Sequence, residues 1–272
     1  MIMATETKKG SPMKRRDFIK LGAASCAAAA GLLSLNGCQV AEISHGEIVA
    51  SMDGKTNKQY GMVVNVSELN KLGVMDDIIH ACHSAHNVPD TGSKRTEVKW
   101  IWETSYEKAF EEISSKYLSE DVEKYEYPVL CNHCESPACV RVCPTRATFK
   151  RPDGIVMMDF HRCIGCRFCM EACPYGARSL NFSDPREYLD GINDQFPTRS
   201  KGVVEKCLFC YERIDKGLQP LCVEASKGSI LFGDLTDATS DVRRALAKAF
   251  SIRRRVELGT GPCVYYIFEE GE

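Results

Sequence analysis

The sequence predicts an α+β fold in which short strands and single turns of helix surround cysteine loops. Three observations predict it. Residues 131–174 hold two cysteine runs of matching spacing, each ending in Cys-Pro. Between the runs lie two short apolar stretches, 147–149 and 155–159, joined by Pro152-Asp153-Gly154, a turn signal between paired strands. A looser run, Cys207-x2-Cys210-x11-Cys222, follows nearer the C-terminus. Fifteen cysteines in 272 residues is far above ordinary usage and is itself an argument for a metal protein. A chain of this length buries a core without disulfide staples. A formal net charge of −2, with no basic block interleaved with aromatics, argues against a nucleic-acid binder.

The second run is Cys163-x2-Cys166-x2-Cys169-x3-Cys173-Pro174. This is the bacterial ferredoxin spacing, in which three thiolates bind one [4Fe–4S] cluster and the fourth crosses to another. The first run, Cys131-x2-Cys134-x4-Cys139-x3-Cys143-Pro144, repeats it with two extra residues in the middle. Two-residue spacers let one tight loop reach three corners of a compact cube. The fourth cysteine sits on the helical turn that follows and points away. The crossing rule therefore groups Cys131, Cys134, Cys139 and Cys173 as cluster a, and Cys163, Cys166, Cys169 and Cys143 as cluster b. Zinc ribbons use paired C-x-x-C knuckles and need neither the third cysteine nor the Cys-Pro ending.

Taken in order, residues 1–37 read as a targeting segment. Lys14-Arg15-Arg16-Asp17-Phe18-Ile19-Lys20 is a twin-arginine signal ahead of an apolar, Ala-rich stretch. Such a signal exports folded, cofactor-loaded proteins, and the expected location is periplasmic, on the outer face of the cytoplasmic membrane. Leu35-Asn36-Gly37-Cys38 resembles a lipobox, which makes Cys38 a lipidation candidate; Cys26 lies within the signal. One lipid chain alone anchors weakly. Residues 38–58 read as a tether.

Residues 61–66 read as a strand. Counting back from Cys82 by the x2-x2-x3 rule gives Ile78, Met75 and Leu72, all apolar. Counting on from Cys222 by three gives Ser226 where a fourth cysteine would stand. By the crossing rule these four positions belong to one lost cluster, with Leu72, Met75 and Ile78 filling its volume. Cys82, Cys207, Cys210 and Cys222 form the intact set of another, cluster c. Twelve ligands and three [4Fe–4S] clusters are expected. In a rival arrangement, Cys207, Cys210 and Cys222 hold a cluster with an open iron corner, as an enzyme would need. Cys263 has no motif partners and reads as a buried thiol.

Lys99–Glu103 alternates like a strand, residues 107–124 suit a helix, and 84–130 form an insertion with a docking surface or a solvated excursion as its two readings. Residues 184–202 read as a long loop, 229–234 as a returning strand and 241–250 as a short amphipathic helix. His83, His86, His133 and His161 lie near ligands and read as hydrogen-bonding or surface residues. Arg141, Arg146, Arg162, Arg167 and Arg178 flank the runs and read as charge compensation or plain surface. No nucleophile–base pair or dinucleotide loop is present, so the chain reads as a non-catalytic electron carrier.

The pattern CNHCESPACVRVCP, CIGCRFCMEACPYGAR and GVVEKCLFC, with FGDL after the last run, resembles the ferredoxin-type iron–sulfur subunits of the dimethyl-sulfoxide-reductase, NrfC and PsrB family. The missing first cluster and the export signal are most similar to DsrO-type subunits of the DsrMKJOP sulfur-metabolism complex and to the related heterodisulfide-reductase-like menaquinol-oxidising complex. The resemblance implies two ferredoxin-like modules, the second inserted within the first. Residues 59–127 would then be the first half of module 1 plus the insertion. Residues 128–183 would be module 2, and 184–272 the linker loop, the second half of module 1 and a C-terminal segment. It also implies a quinone-reactive NrfD-type integral membrane subunit as partner, with a multihaem cytochrome c or another redox subunit at the other end. The alternative is the iron–sulfur subunit of a molybdopterin reductase of the polysulfide or tetrathionate type.

Overall fold

The computed structural model describes residues 58–113 and 117–268. The twin-arginine segment, the lipobox with Cys38, Cys26 and all but the last residue of the expected tether lie outside them. The described chain is mixed α and β with small sheets. None of its helices is long and apolar enough to cross a membrane.

Strand β1 (Tyr60–Asn65) is the centre of the largest sheet. It runs antiparallel to β8 (Ile230–Asp234), with Met62 opposite Phe232, and parallel to β10 (Val264–Ile267), with Met62 opposite Val264. The short β9 (Ser251–Ile252) edges β10. Alternate side chains of a strand point to opposite faces. Accordingly Met62 and Val64 enter the main core, while Val63 enters a second core with Leu235, Val242, Cys263 and Ile267. Both faces are covered, which is why β1 is a continuous apolar run. Val242 comes from the amphipathic helix α9 (Asp241–Lys248), capped by the Ser240 hydroxyl, which accepts from the Arg243 amide.

Beyond β1, Asn65 caps helix α1 (Val66–Leu72) by accepting from the Glu68 amide, and Gly73 ends it at φ +59°. Helix α2 (Met75–Ala85) follows. Met75, Ile78 and Cys82 share its buried face at helical three- and four-residue spacing, and it packs on α8 (Leu221–Ala225). The expected filling of a lost site by three apolar residues holds for Met75 and Ile78 only. Leu72 is 38 % exposed, because it ends α1 on the solvent side of that helix.

Residues 107–124 do not form one helix. A short α3 (Tyr106–Ala109), a 3-10 turn at Glu111–Ile113 and a short α4 (Glu120–Lys124) share the stretch. The insertion is tied to the core by β2 (Ile101–Thr104) against β3 (Tyr127–Leu130) and by Tyr106, Phe110, Tyr127 and Tyr266, whose rings meet at 5.2–5.7 Å. Residues 117–126 between these ties are exposed or half-buried. The strand pair expected between the runs is present as β4 (Thr148–Lys150) and β5 (Val156–Met158), turning at Gly154 with φ +87°. Two-residue strands β6 (Ser179–Leu180) and β7 (Val204–Glu205) close the long loop between them.

Candidate metal centre

Three C-x-x-C loops share one backbone device. The residue directly before the second cysteine lies in the left-handed region in each: His133 at φ +42°, Gly165 at +68° and Phe209 at +56°. Two of these are not glycine, and such a conformation persists where the surroundings demand it. Amides from the third loop and from β7 turn toward sulfur. Phe209 N–H donates to Cys207 Sγ at 3.4 Å and Val204 N–H to Cys163 Sγ at 3.5 Å. Short helices follow the loops: α5 (Ala138–Arg141) carries Cys139, α6 (Phe168–Glu171) carries Cys169, and α7 (Tyr211–Ile214) begins directly after Cys210. Three residues after each Cys-Pro cysteine a second left-handed residue, Arg146 or Gly176, redirects the chain.

Each set of four expected from the spacing comes together. Burial pushes the Cys134 thiol up to about 12, with the sulfurs of Cys131, Cys139 and Cys173 pushing the same way. Cys143, Cys163, Cys166 and Cys169 line one recess together with Thr145, Thr148 and Met158. Here burial raises Cys143, but the amide of Thr148 and the hydroxyl and amide of Thr145 outweigh it, and this thiol falls below its usual value. Burial raises Cys82 well above the ordinary thiol range, with repulsion from Cys207, Cys210 and Cys222 added. Cys222 is pushed up to about 12, mainly by burial and then by Cys207. All thirteen cysteines among the described residues are free thiols. All-sulfur sets suit a soft metal group that takes four thiolates and releases their protons on binding. The donor sets thus fit iron–sulfur cubes and leave no disulfide scaffold among these residues.

The sequence named Ser226 as the vacant fourth position, and its hydroxyl is wholly buried, donating to Val223 O at 2.7 Å and accepting from Ile230 N–H at 3.0 Å. The histidines divide. His161 is exposed and His83 half-buried. His86 is buried, with Nδ1 at 2.7 Å from Cys82 O and Nε2 at 2.9 Å from Glu212 Oε1. His86, Cys210 and Glu212 each place a ligand-type atom within 4.8 Å of the others. His133 is fully buried and stacks on Phe209 with centroids 3.6 Å apart. Among the five flanking arginines only Arg178 is buried; it donates to Cys139 Sγ at 3.0 Å and Thr148 Oγ1 at 3.1 Å. Sequence reasoning passed over Lys206, the residue before Cys207. It is fully buried, donating to Cys207 O at 2.7 Å and to Val156 O.

Residues 122–185 match the 4Fe-4S dicluster domain family. Over 202 residues the chain is 45 % identical to the Hdr-like menaquinol oxidoreductase iron–sulfur subunit 1 of Archaeoglobus fulgidus, covering 71 % of this chain and 72 % of the relative. The chain belongs to the [4Fe–4S] dicluster iron–sulfur subunits of the menaquinol-oxidoreductase and dimethyl-sulfoxide-reductase type. Two further relatives extend the match. The menaquinone reductase iron–sulfur cluster-binding subunit of Nitratidesulfovibrio vulgaris is 34 % identical, over 77 % of this chain and 88 % of its own length. The arsenate respiratory reductase iron–sulfur subunit of Shewanella sp. is 37 % identical, over 53 % of this chain and 76 % of its own length. As a family member the chain binds [4Fe–4S] and serves as an electron-transfer subunit of a menaquinol or molybdopterin oxidoreductase complex.

Proposed function

We propose that this subunit carries three [4Fe–4S] clusters in a row. Cys131, Cys134, Cys139 and Cys173 hold cluster a; Cys163, Cys166, Cys169 and Cys143 hold b; Cys82, Cys207, Cys210 and Cys222 hold c. One observation carries the number: three C-x-x-C loops repeat the same left-handed residue before the second cysteine, each within a set of four thiols. The chemistry the clusters supply is one-electron transfer. The chain's own residues hold the sulfurs, turn amides onto them and bury all four thiols of set c. The sheet around β1, built from both ends of the described chain, supports a ferredoxin-like module split by a second one.

In this reading the subunit passes electrons between a quinone-reactive NrfD-type membrane subunit and a second redox subunit, a multihaem cytochrome c, on the periplasmic side after twin-arginine export. Relatives named as menaquinol oxidoreductase and menaquinone reductase subunits support the quinone end. A role in respiratory sulfur metabolism follows from the resemblance of the motifs. The Cys82 thiol, buried among Cys207, Cys210 and Cys222, argues against the open-corner arrangement.

The test is iron and sulfide content with reduced-state EPR, on wild type and Cys82→Ser purified without air. Twelve irons in wild type, with loss or conversion of one cluster alone in Cys82→Ser, is the expected result. Twelve irons with no response to Cys82→Ser would return the open-corner arrangement, and eight irons would leave only a and b.

A further inference from the structure

Three cations are buried among the described residues without an ion pair: Lys206, Arg178 and Arg254. Lys206 is fully buried and Arg178 is 4 % exposed, and neither takes part in an ion pair among the described residues. Arg254 donates to Ala109 O at 2.8 Å and faces the Tyr175 ring, while buried Arg199 is paired with Glu205 at 2.5 Å. A buried charge is costly to leave bare, and Lys206 and Arg178 differ from Arg254 in lying against thiol sulfur.

Their positions are specific. Arg178 donates to Cys139 Sγ of set a at 3.0 Å, and its charge acts on the sulfur of Cys169 of set b. Lys206 interacts with the sulfurs of Cys131 and Cys139 of set a and Cys207 of set c. The gap that holds Lys206 is further fixed by the stack of His133, from the first loop of set a, on Phe209, from the loop of set c. The Val156 peptide joins the two, since its amide donates to His133 Nδ1 at 3.0 Å and its carbonyl accepts from Lys206.

We infer that Lys206 and Arg178 are gap counter-charges, Lys206 between sets a and c and Arg178 between sets a and b, so that both bear on the central set and each on only one outer set. The inference rests on the three-cluster reading. One-electron reduction adds a negative charge at a set, and a fixed positive charge beside it in a low dielectric stabilises that form. Removing Lys206 therefore makes the couples at a and c harder to reduce and leaves b in place. Removing Arg178 does the same at a and b and leaves c in place. The couple that moves in both variants is the central one.

The experiment is an EPR-monitored redox titration, with iron content measured on the same samples, of cluster-loaded wild type, Lys206→Met, Lys206→Arg, Arg178→Leu and Arg178→Lys. Two of three couples in each neutral variant should shift negative by at least about tenfold in the reduction equilibrium, which is about 59 mV for one electron. One couple should be common to both, and the charge-retaining variants should restore it. Twelve irons with unmoved potentials in both neutral variants would overturn the inference and leave the three-cluster reading intact. Eight irons in wild type would instead sink that reading, with the Arg178 pattern at a and b still decisive for its own gap. Should Lys206→Met fail to hold iron, retention of iron and wild-type potentials in Lys206→Arg supports the counter-charge. Loss in both marks Lys206 as packing and overturns its part.

Discussion

Arg199 and Glu205 meet at 2.5 Å with neither side chain exposed. The pair joins the two halves of set c. Arg199 also donates to His86 O at 2.6 Å and Asn87 O at 2.7 Å, just past the helix that carries Cys82. Glu205 stands two residues before Cys207 and accepts further bonds from Trp100 Nε1 at 2.9 Å and Asn181 Nδ2 at 2.5 Å. Glu205→Gln leaves a buried guanidinium without its counter-ion, a loss of about 3–5 kcal/mol. Urea unfolding of the iron-loaded protein reads it; a change below about 1 kcal/mol would count against the pair as the tie between these segments.

Ile78 and Leu72 sit on positions that spacing treats alike, yet only Ile78 is fully buried. Ile78→Ala should cost about 2–5 kcal/mol through lost burial and the cavity left behind. Leu72→Ala should stay within about 0.5 kcal/mol, as an exposed substitution does. Equal losses in denaturant unfolding would contradict the placement of α1 and α2.

Gly165 has φ +68°, and a Cβ there would run into the Gly202 carbonyl. Both the conformation and the contact exclude a side chain. Gly165→Ala should displace the loop between Cys163 and Cys166 and lower the iron content by about one cluster, roughly a third of the total. Full iron with unaltered EPR in that variant would show the loop to be tolerant.

Burial pushes the Cys263 thiol up to about 12 from the usual 9.0. Above pH 9 the unfolded chain releases this proton while the folded chain keeps it, so the contribution is intact below 9 and falls as pH rises toward 12. At pH 10 the loss is about 1 kcal/mol. The unfolding midpoint of wild type should therefore fall more steeply than that of Cys263→Ala between pH 8 and 10.5; parallel curves would mean that Cys263 ionises as freely in the folded protein as in the unfolded one.

The three C-x-x-C loops and the helical turns after them were legible because such spacing is set locally, by the reach of one loop. Strands β1, β4, β5 and β8 and helix α9 were legible from apolar runs and turn residues. The parallel place of β10 beside β1 was not, since no local pattern encodes a partner so far along the chain. Residues 107–124 have helix-forming composition, but the packing of Tyr106, Phe110 and Tyr127 breaks them into short pieces. Leu72 was misplaced because the counting rule assumes a cysteine loop where the chain has two helices. Lys206, Glu205 and Arg199 were invisible for another reason: charged residues are ordinarily exposed, and only their three-dimensional surroundings mark these three as buried.

β1 and β10 are neighbours although nearly the whole described chain runs between them. A ribosome makes Met62 about two hundred residues before Val264. Until β8 and β10 emerge, β1 has two bare edges, of the kind that captures stray strands. The sheet closes only when distant segments have been made, and β1 waits longest for β10.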